Sequence, residues 1–165
     1  MNVMGDGTDI REEDEQELNS ALGGQSSSLM KQMPGMNRAD FPQLRVGVDI
    51  CSVPRIIEAH KRFGERFLRR ILTPNEIAYC KSAERHMYVR IAGRFAAKEA
   101  VVKVLGTGWV GVGWQEVEIK RKPTGEPRLT LYGRALSRAE RLGLRHFEVS
   151  MSHEKEFAVA FVVAY

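Results

Sequence analysis

The chain has 165 residues, of which 43% are hydrophobic and 28% charged, as expected for one globular domain with a sizeable core. Its two cysteines exclude a disulfide framework, and no apolar run approaches the roughly 20 residues of a membrane span. Charge is uneven: residues 1–44 carry eight acidic and three basic side chains, and the remainder carries thirteen acidic and twenty-two basic ones. A domain this basic attracts anions, including nucleic acid, phosphorylated small molecules, acidic proteins and anionic membranes.

Residues 1–43 are rich in Gly, Ser, Gln, Asp and Glu and contain few large apolar side chains. This composition predicts a disordered, polar and acidic extension before a domain that spans residues 44–165. Met30, Met33 and Met36 lie close to that domain, so a misassigned translation start is an alternative explanation for part of the extension. The extension resembles neither a secretory signal nor a transit peptide, which makes a cytoplasmic location the default expectation.

A strand is predicted where the domain begins. Val46, Val48 and Ile50 alternate with smaller or polar residues, which is the period of a strand with one buried face. We expect the valines on that face and Asp49 on the opposite one. Pro54 ends the strand and suits the first turn of a helix.

The segment Lys61–Arg70 is basic and contains two phenylalanines. It predicts an amphipathic helix whose cationic face is either simply solvated or a docking surface for an acidic partner. A further helix is predicted just after it, with Thr73 as its N-cap, Pro74 in the first position and Glu76 completing a capping box.

A central helix is predicted over residues 93–105, because alanines and straight-chain residues favour helix and Gly106 and Gly108 can end it. Arg94 and Lys98 fall inside its apolar stripe, where a surface helix does not normally place cations. Either their aliphatic stems run along apolar surface towards solvent, or the two cations reach a bound anion.

Two acids are candidate metal ligands. Asp49 and Glu99 are isolated acids in a basic domain, and Mg²⁺ commonly takes one or two carboxylates together with substrate phosphate. Lys103 lies one turn after Glu99 on the same helix face and could neutralise phosphate oxygens.

The C-terminal part of the chain predicts a hairpin over residues 117–131, a helix over residues 134–142, and two final strands over residues 147–151 and 157–163. Short turns join these strands, and helices are grouped between them. This order predicts an α+β fold in which an antiparallel sheet packs with helices.

Two motifs are rejected. The spacing Gly106-x-Gly108-x-x-Gly111 matches the dinucleotide fingerprint, but it follows a helix rather than a strand. Backbone amides in such a glycine stretch can still approach a phosphate. Ser152 beside His153 lacks the nucleophile elbow of a serine hydrolase.

Taken together and in order, seven segments resemble the bacterial holo-acyl-carrier-protein synthases, a single-copy family of 4′-phosphopantetheinyl transferases. The resemblance runs from about Arg45 to the C-terminus and leaves out the residues before it. The segments are Gly47-Val48-Asp49-Ile50 with Arg55, Arg66-Phe67, Arg70-Ile71-Leu72-Thr73 with Glu76, Gly93-Arg94-Phe95-Ala96-Ala97-Lys98-Glu99-Ala100 with Lys103, Gly106-Thr107-Gly108, Gly125-x-Pro127, and Ser150-x-Ser152-His153.

The resemblance implies an activity in fatty acid biosynthesis. Coenzyme A would donate its phosphopantetheine arm to a serine of apo-acyl-carrier protein and release adenosine 3′,5′-bisphosphate. The resemblance also implies a homotrimer with sites between subunits, and Mg²⁺ held against the pyrophosphate by Asp49 and Glu99.

Roles for individual residues follow from the same resemblance. The base that takes the serine proton stays open between Glu99, a metal-bound water and His153. The remaining implied roles are catalysis by Lys103 beside the phosphates and His153 near them, coenzyme binding by Arg94, Lys98, Lys103, Gly106, Gly108, Arg85 and His86, and carrier-protein binding by Arg55, Arg66 and Arg70.

A basic module without enzymatic activity, binding RNA or an acidic protein, is the alternative that the charge alone supports. Such a module needs no metal, so Asp49 and Glu99 would be replaceable. The family resemblance instead predicts binding to neither nucleic acid nor membrane.

Overall fold

The computed structural model describes residues 43–165, so the expectation for the N-terminal extension falls almost wholly outside the described residues. The described part has the predicted α+β architecture, and none of its helices is long and apolar enough to cross a membrane. Its elements are β1 (Arg45–Ser52), α1 (Val53–Phe63), α2 (Glu65–Ile71), α3 (Pro74–Lys81), α4 (Met87–Leu105), β2 (Val117–Arg121), β3 (Pro127–Leu131), α5 (Gly133–Arg141), β4 (Phe147–His153) and β5 (Phe157–Ala164).

The strands form two antiparallel groups: a three-stranded sheet in the order β1-β5-β4 and a separate hairpin of β2 and β3. Helix α4 packs on one face of the three-stranded sheet, against β1 and β5. The inner face of β5 consists of small residues (Ala158, Ala160, Val162 and Ala164), all of them buried. Small side chains bring the helix and the sheet close together.

The predicted orientation of β1 is wrong. Val46, Val48 and Ile50 are at least half exposed, whereas Gly47 and Cys51 are buried. Helix α4 comes so close that a Cβ on Gly47 would lie 2.0 Å from the carbonyl oxygen of Ala100. Only the glycine-bearing face of β1 can therefore meet the helix, and the valine-bearing face is left outside.

The predicted helix boundaries at Thr73 and Gly106 are confirmed. Thr73 Oγ1 accepts from the Glu76 amide at 3.3 Å, and Glu76 Oε2 accepts from the Thr73 amide at 2.8 Å, which forms the capping box. Gly106 ends α4 in the left-handed conformation, with φ of +67°. The single helix predicted over the basic segment is wrong, because Gly64, with φ of +57°, separates α1 from α2.

Candidate active site

Asp49 and Lys103 form an ion pair between β1 and α4. Lys103 Nζ donates to Asp49 Oδ1 at 2.9 Å and to the carbonyl oxygen of Val48 at 2.6 Å. The lysine side chain is 52% exposed and that of the aspartate 19%. An ion pair this accessible can exchange partners when a charged ligand arrives, since exposed pairs are worth only about 0–1 kcal/mol.

Glu99 lies one helical turn before Lys103 and accepts a hydrogen bond from Trp109 Nε1 at 2.9 Å. Because Asp49 contacts Lys103, both acids belong to the region where β1 packs on α4. Burial and then the Asp49 carboxylate raise the pKa of the neighbouring Cys51 thiol to about 11, with Arg55 opposing and Glu99 adding a smaller contribution.

The residues present fit a magnesium ion. Asp49 and Glu99 supply hard oxygen ligands from two facing elements, as Mg²⁺ prefers. Within residues 43–165, no three His, Cys, Asp or Glu side chains come together as a metal cluster. Two carboxylates can be enough for Mg²⁺, because that ion usually completes its coordination with water and substrate phosphates.

A pocket of about 380 Å³ brings three predicted coenzyme or phosphate residues together: His86, Arg94 and His153. Arg85, the neighbour of His86, is exposed and does not line it. Further cations at this pocket come from α4 and the hairpin: Arg90, Lys120 and Arg121. Such a concentration of positive charge suits a polyanionic ligand.

Strand β5 lies between this pocket and Asp49. Met151, which lines it, is in register with Ala160, and Ala160 is in register with Asp49. His153 and Cys51 flank Ala158 in the same way. Two strand spacings separate the outer residues of each row, so the backbones at Met151 and Asp49 are roughly 10 Å apart.

Arg94 is the most unusual cation of the pocket because it is only 5% exposed. Its guanidinium lies 4.1 Å from the centroid of the Tyr79 ring, and Nη1 donates to the Arg90 carbonyl at 3.2 Å. Its buried Nε has no hydrogen-bond partner among the described residues. A buried donor without a partner is costly, so Arg94 favours the bound-anion interpretation over the solvent-directed one.

Lys98 does not line this pocket, and the structure places it elsewhere than predicted. Its side chain is fully buried, and Nζ lies 2.7 Å from Glu76 Oε2, 2.8 Å from the Ile71 carbonyl and 2.9 Å from the Trp114 carbonyl. Burial lowers the pKa of Lys98, and the Glu76 carboxylate opposes this. All three ammonium protons have acceptors, so this lysine holds the core together and has no donor left for coenzyme.

Arg66 and Arg70 line a groove of about 740 Å³ along α2, as a docking surface requires. Arg55 does not line it. It lies in the first turn of α1, directly after β1. We call the groove along α2 the basic groove. Its other lining residues are Phe63, Phe67, Arg69, Ile71 and Trp114.

Sequence reasoning missed several of these residues. Arg90 precedes Arg94 by one helical turn, and that spacing was a usable signal. Lys120 and Arg121 reach the pocket only because the hairpin folds against α4, and Trp109 reaches Glu99 from a loop. No local pattern reports such contacts.

A family model of the 4′-phosphopantetheinyl transferase superfamily matches residues 45–162. The chain belongs to this superfamily. Among curated members, it is 48% identical to the holo-[acyl-carrier-protein] synthase of Gloeobacter violaceus over 118 residues, 72% of this chain and 89% of that protein. It is 47% identical to the Koribacter versatilis synthase, covering 73% of this chain and 96% of the relative.

Solved structures of transferase superfamily members have the same fold. The holo-[acyl-carrier-protein] synthase from Neisseria meningitidis superimposes with a TM-score of 0.67 at 41% identity, covering 73% of this chain and 97% of that one. The Helicobacter pylori enzyme, solved in complex with coenzyme A, gives 0.64 at 35% identity, with coverage of 73% and 99%.

Proposed function

We propose that this protein transfers the 4′-phosphopantetheine group of coenzyme A to a serine hydroxyl of apo-acyl-carrier protein. The serine oxygen bonds to the phosphorus that carries pantetheine, the pyrophosphate P–O bond breaks, and adenosine 3′,5′-bisphosphate leaves. The serine proton passes to one of the candidate bases named above, with Glu99 and His153 as those that the chain itself provides. The observation that carries the proposal is the Asp49–Lys103 ion pair, one helical turn from Glu99 and near a cationic pocket. Phosphoryl transfer depends mainly on such positioning and charge neutralisation.

Mg²⁺ is the cofactor we propose, held by Asp49 and Glu99. When bound, it would supply Lewis-acid polarisation of the pyrophosphate oxygens. Lys103 would turn its ammonium from Asp49 to those same oxygens, a change that its exposure allows. In the adjoining pocket, Arg94 would pair with a coenzyme phosphate and satisfy its buried Nε.

The basic groove is the surface we propose for the carrier protein. Arg66, Arg69 and Arg70 surround apolar side chains, so the groove combines positive charge with a contact area for an acidic protein. Charge of this kind steers association and is screened by salt. We expect the transfer rate at limiting carrier concentration to fall as ionic strength rises.

A homotrimer is the assembly we propose. The outer face of β1 and β5 exposes Val48, Ile50, Phe157, Val159 and Phe161 side by side. Contiguous apolar surface of this kind marks an interface, and a second copy of the chain is its natural cover. Light scattering after size exclusion should give three chains per particle, and a monomer would contradict this assembly.

The experiment is direct. The purified protein is incubated with apo-acyl-carrier protein, coenzyme A and Mg²⁺, and the carrier is weighed by mass spectrometry. The carrier should gain one phosphopantetheine group, and chelation of the metal should prevent the gain. No gain in mass with folded protein would overturn the proposal.

Asp49→Asn and Glu99→Gln should abolish this gain in mass while the protein stays folded. The alternative, a basic module that binds RNA or an acidic protein, predicts binding that survives both substitutions and chelation.

The reaction suits a cytoplasmic enzyme that supports fatty acid biosynthesis, and we propose that setting for it.

A further inference from the structure

The loop after α4 carries an indole that reaches back to the active-site helix. Gly106, Gly108 and Gly111 all have positive φ, which allows the chain to turn sharply there. Trp109 then donates from Nε1 to Glu99 Oε1 at 2.9 Å. Oε1 of Glu99, the proposed metal ligand, thus accepts a hydrogen bond from an indole that the proposed reaction does not use.

The indole is held in place by a stack of three aromatic rings. The ring centroids of Trp109 and Trp114 are 3.5 Å apart with an interplanar angle of 16°, and Trp114 stacks on Phe95 at 4.9 Å. The backbone of Trp114 is fixed in turn, because its carbonyl accepts from Lys98 Nζ at 2.9 Å. The donor that reaches Glu99 is therefore anchored to the buried core.

We propose that Trp109 is a positioning residue, which orients the Glu99 carboxylate so that Oε2 faces the metal. The inference rests on the proposed function, since it assumes that Glu99 binds Mg²⁺. Metal-binding carboxylates are commonly held by hydrogen bonds from residues behind them, and losing such a partner typically costs 10–100-fold in metal affinity or activity. Within residues 43–165, the recorded hydrogen bond of Trp109 Nε1 is the one to Glu99, and its stacking on Trp114 uses only the ring.

The test distinguishes the effect of losing the indole N–H of Trp109 from the effect of disturbing the ring stack. Trp109→Phe keeps an aromatic ring on Trp114 and removes the donor to Glu99. Trp114→Phe is the matched control, since it removes an indole from the same stack and leaves the donor in place. Mg²⁺ affinity is measured by calorimetry on each full-length protein saturated with coenzyme A, and urea unfolding confirms that both variants are folded.

Trp109→Phe should weaken Mg²⁺ binding about 10-fold or more and raise the Mg²⁺ concentration for half-maximal transfer by the same factor. Trp114→Phe should change both Mg²⁺ values by less than about 3-fold, and the carrier KM should not move in Trp109→Phe, since Trp109 does not line the basic groove. Unchanged or tighter Mg²⁺ binding by Trp109→Phe, or equal weakening by both variants, would overturn the inference while leaving the proposed function intact. Failure of the wild type to bind Mg²⁺ and to modify the carrier would overturn both.

Discussion

Two lysines on helix α4 form ion pairs of opposite character. Lys98 is 0% exposed and its partner Glu76 1%, whereas Lys103 is 52% exposed and its partner Asp49 19%. The buried pair has no solvent to replace a lost partner, so it behaves as a fixed structural element. The exposed pair can open at little cost, which is what binding a phosphate requires. The same residue type, on one helix, therefore forms a fixed pair in one place and an exposed pair in the other, and the exposed one suits the phosphate contact that we propose for Lys103.

The largest effect should come from Lys98→Met. Removing the cation leaves the Glu76 carboxylate buried without its charge partner, which typically costs about 3–5 kcal/mol. The free energy of unfolding, measured by urea denaturation, should fall by that amount. A loss below about 1 kcal/mol would mean that the buried pair is not a structural requirement, and the comparison would fail.

Lys103→Met is the matched substitution on the exposed side. It should change the free energy of unfolding by no more than about 1 kcal/mol, because an exposed pair contributes little. Transfer to the carrier should slow by about 10²–10³-fold, since one charge-stabilising group at the phosphates is lost. Normal turnover in this variant would remove Lys103 from the proposed mechanism.

Glu118, which is only 3% exposed, provides the last test, and this test concerns the pH dependence of stability. Burial raises its pKa, but hydrogen bonds donated by Tyr132, Thr73, Lys120 and Asn75 outweigh this and hold the pKa at about 2, below the ordinary 4.5. Because the folded pKa is the lower one, the stability from these bonds is complete above pH 4.5 and is lost as the pH falls towards 2.

Glu118→Gln should therefore flatten the acid limb of a stability profile measured by urea denaturation between pH 7 and pH 2. Glu140→Gln, a change at an exposed glutamate, is the control and should keep the wild-type profile. If stability fell equally in acid for Glu118→Gln and the wild type, the Glu118 carboxyl would not have a lower pKa in the folded state than in the unfolded one.

Local chemistry made much of the fold predictable. A capping box at Thr73 and a left-handed glycine at position 106 fix helix ends through groups a few residues apart, and both were read correctly from the sequence. The face of β1 was not, because both of its sides carry apolar or small residues. The choice between them was made by a helix about fifty residues later, through its close approach to Gly47.

The candidate site, too, was predictable from the sequence only in part. Asp49, Glu99 and Lys103 were nominated from charge and spacing, and the fold pairs Asp49 with Lys103, one helical turn from Glu99. The structural role of Lys98 was hidden, because its partner Glu76 belongs to another helix and only the tertiary fold brings the two within 2.7 Å. The contact of Trp109 with Glu99 depends on the path of a glycine-rich loop, which spacing does not specify.

The close contact at Gly47 limits how the sequence of this enzyme can change during evolution. A single methyl group there would overlap the Ala100 carbonyl, at 2.0 Å, so it would push the strand bearing Asp49 away from the helix bearing Glu99. The spacing between that strand and that helix is set by a missing side chain, and no point mutation at this position can widen it gradually. A change in that spacing would have to begin at another position in the chain.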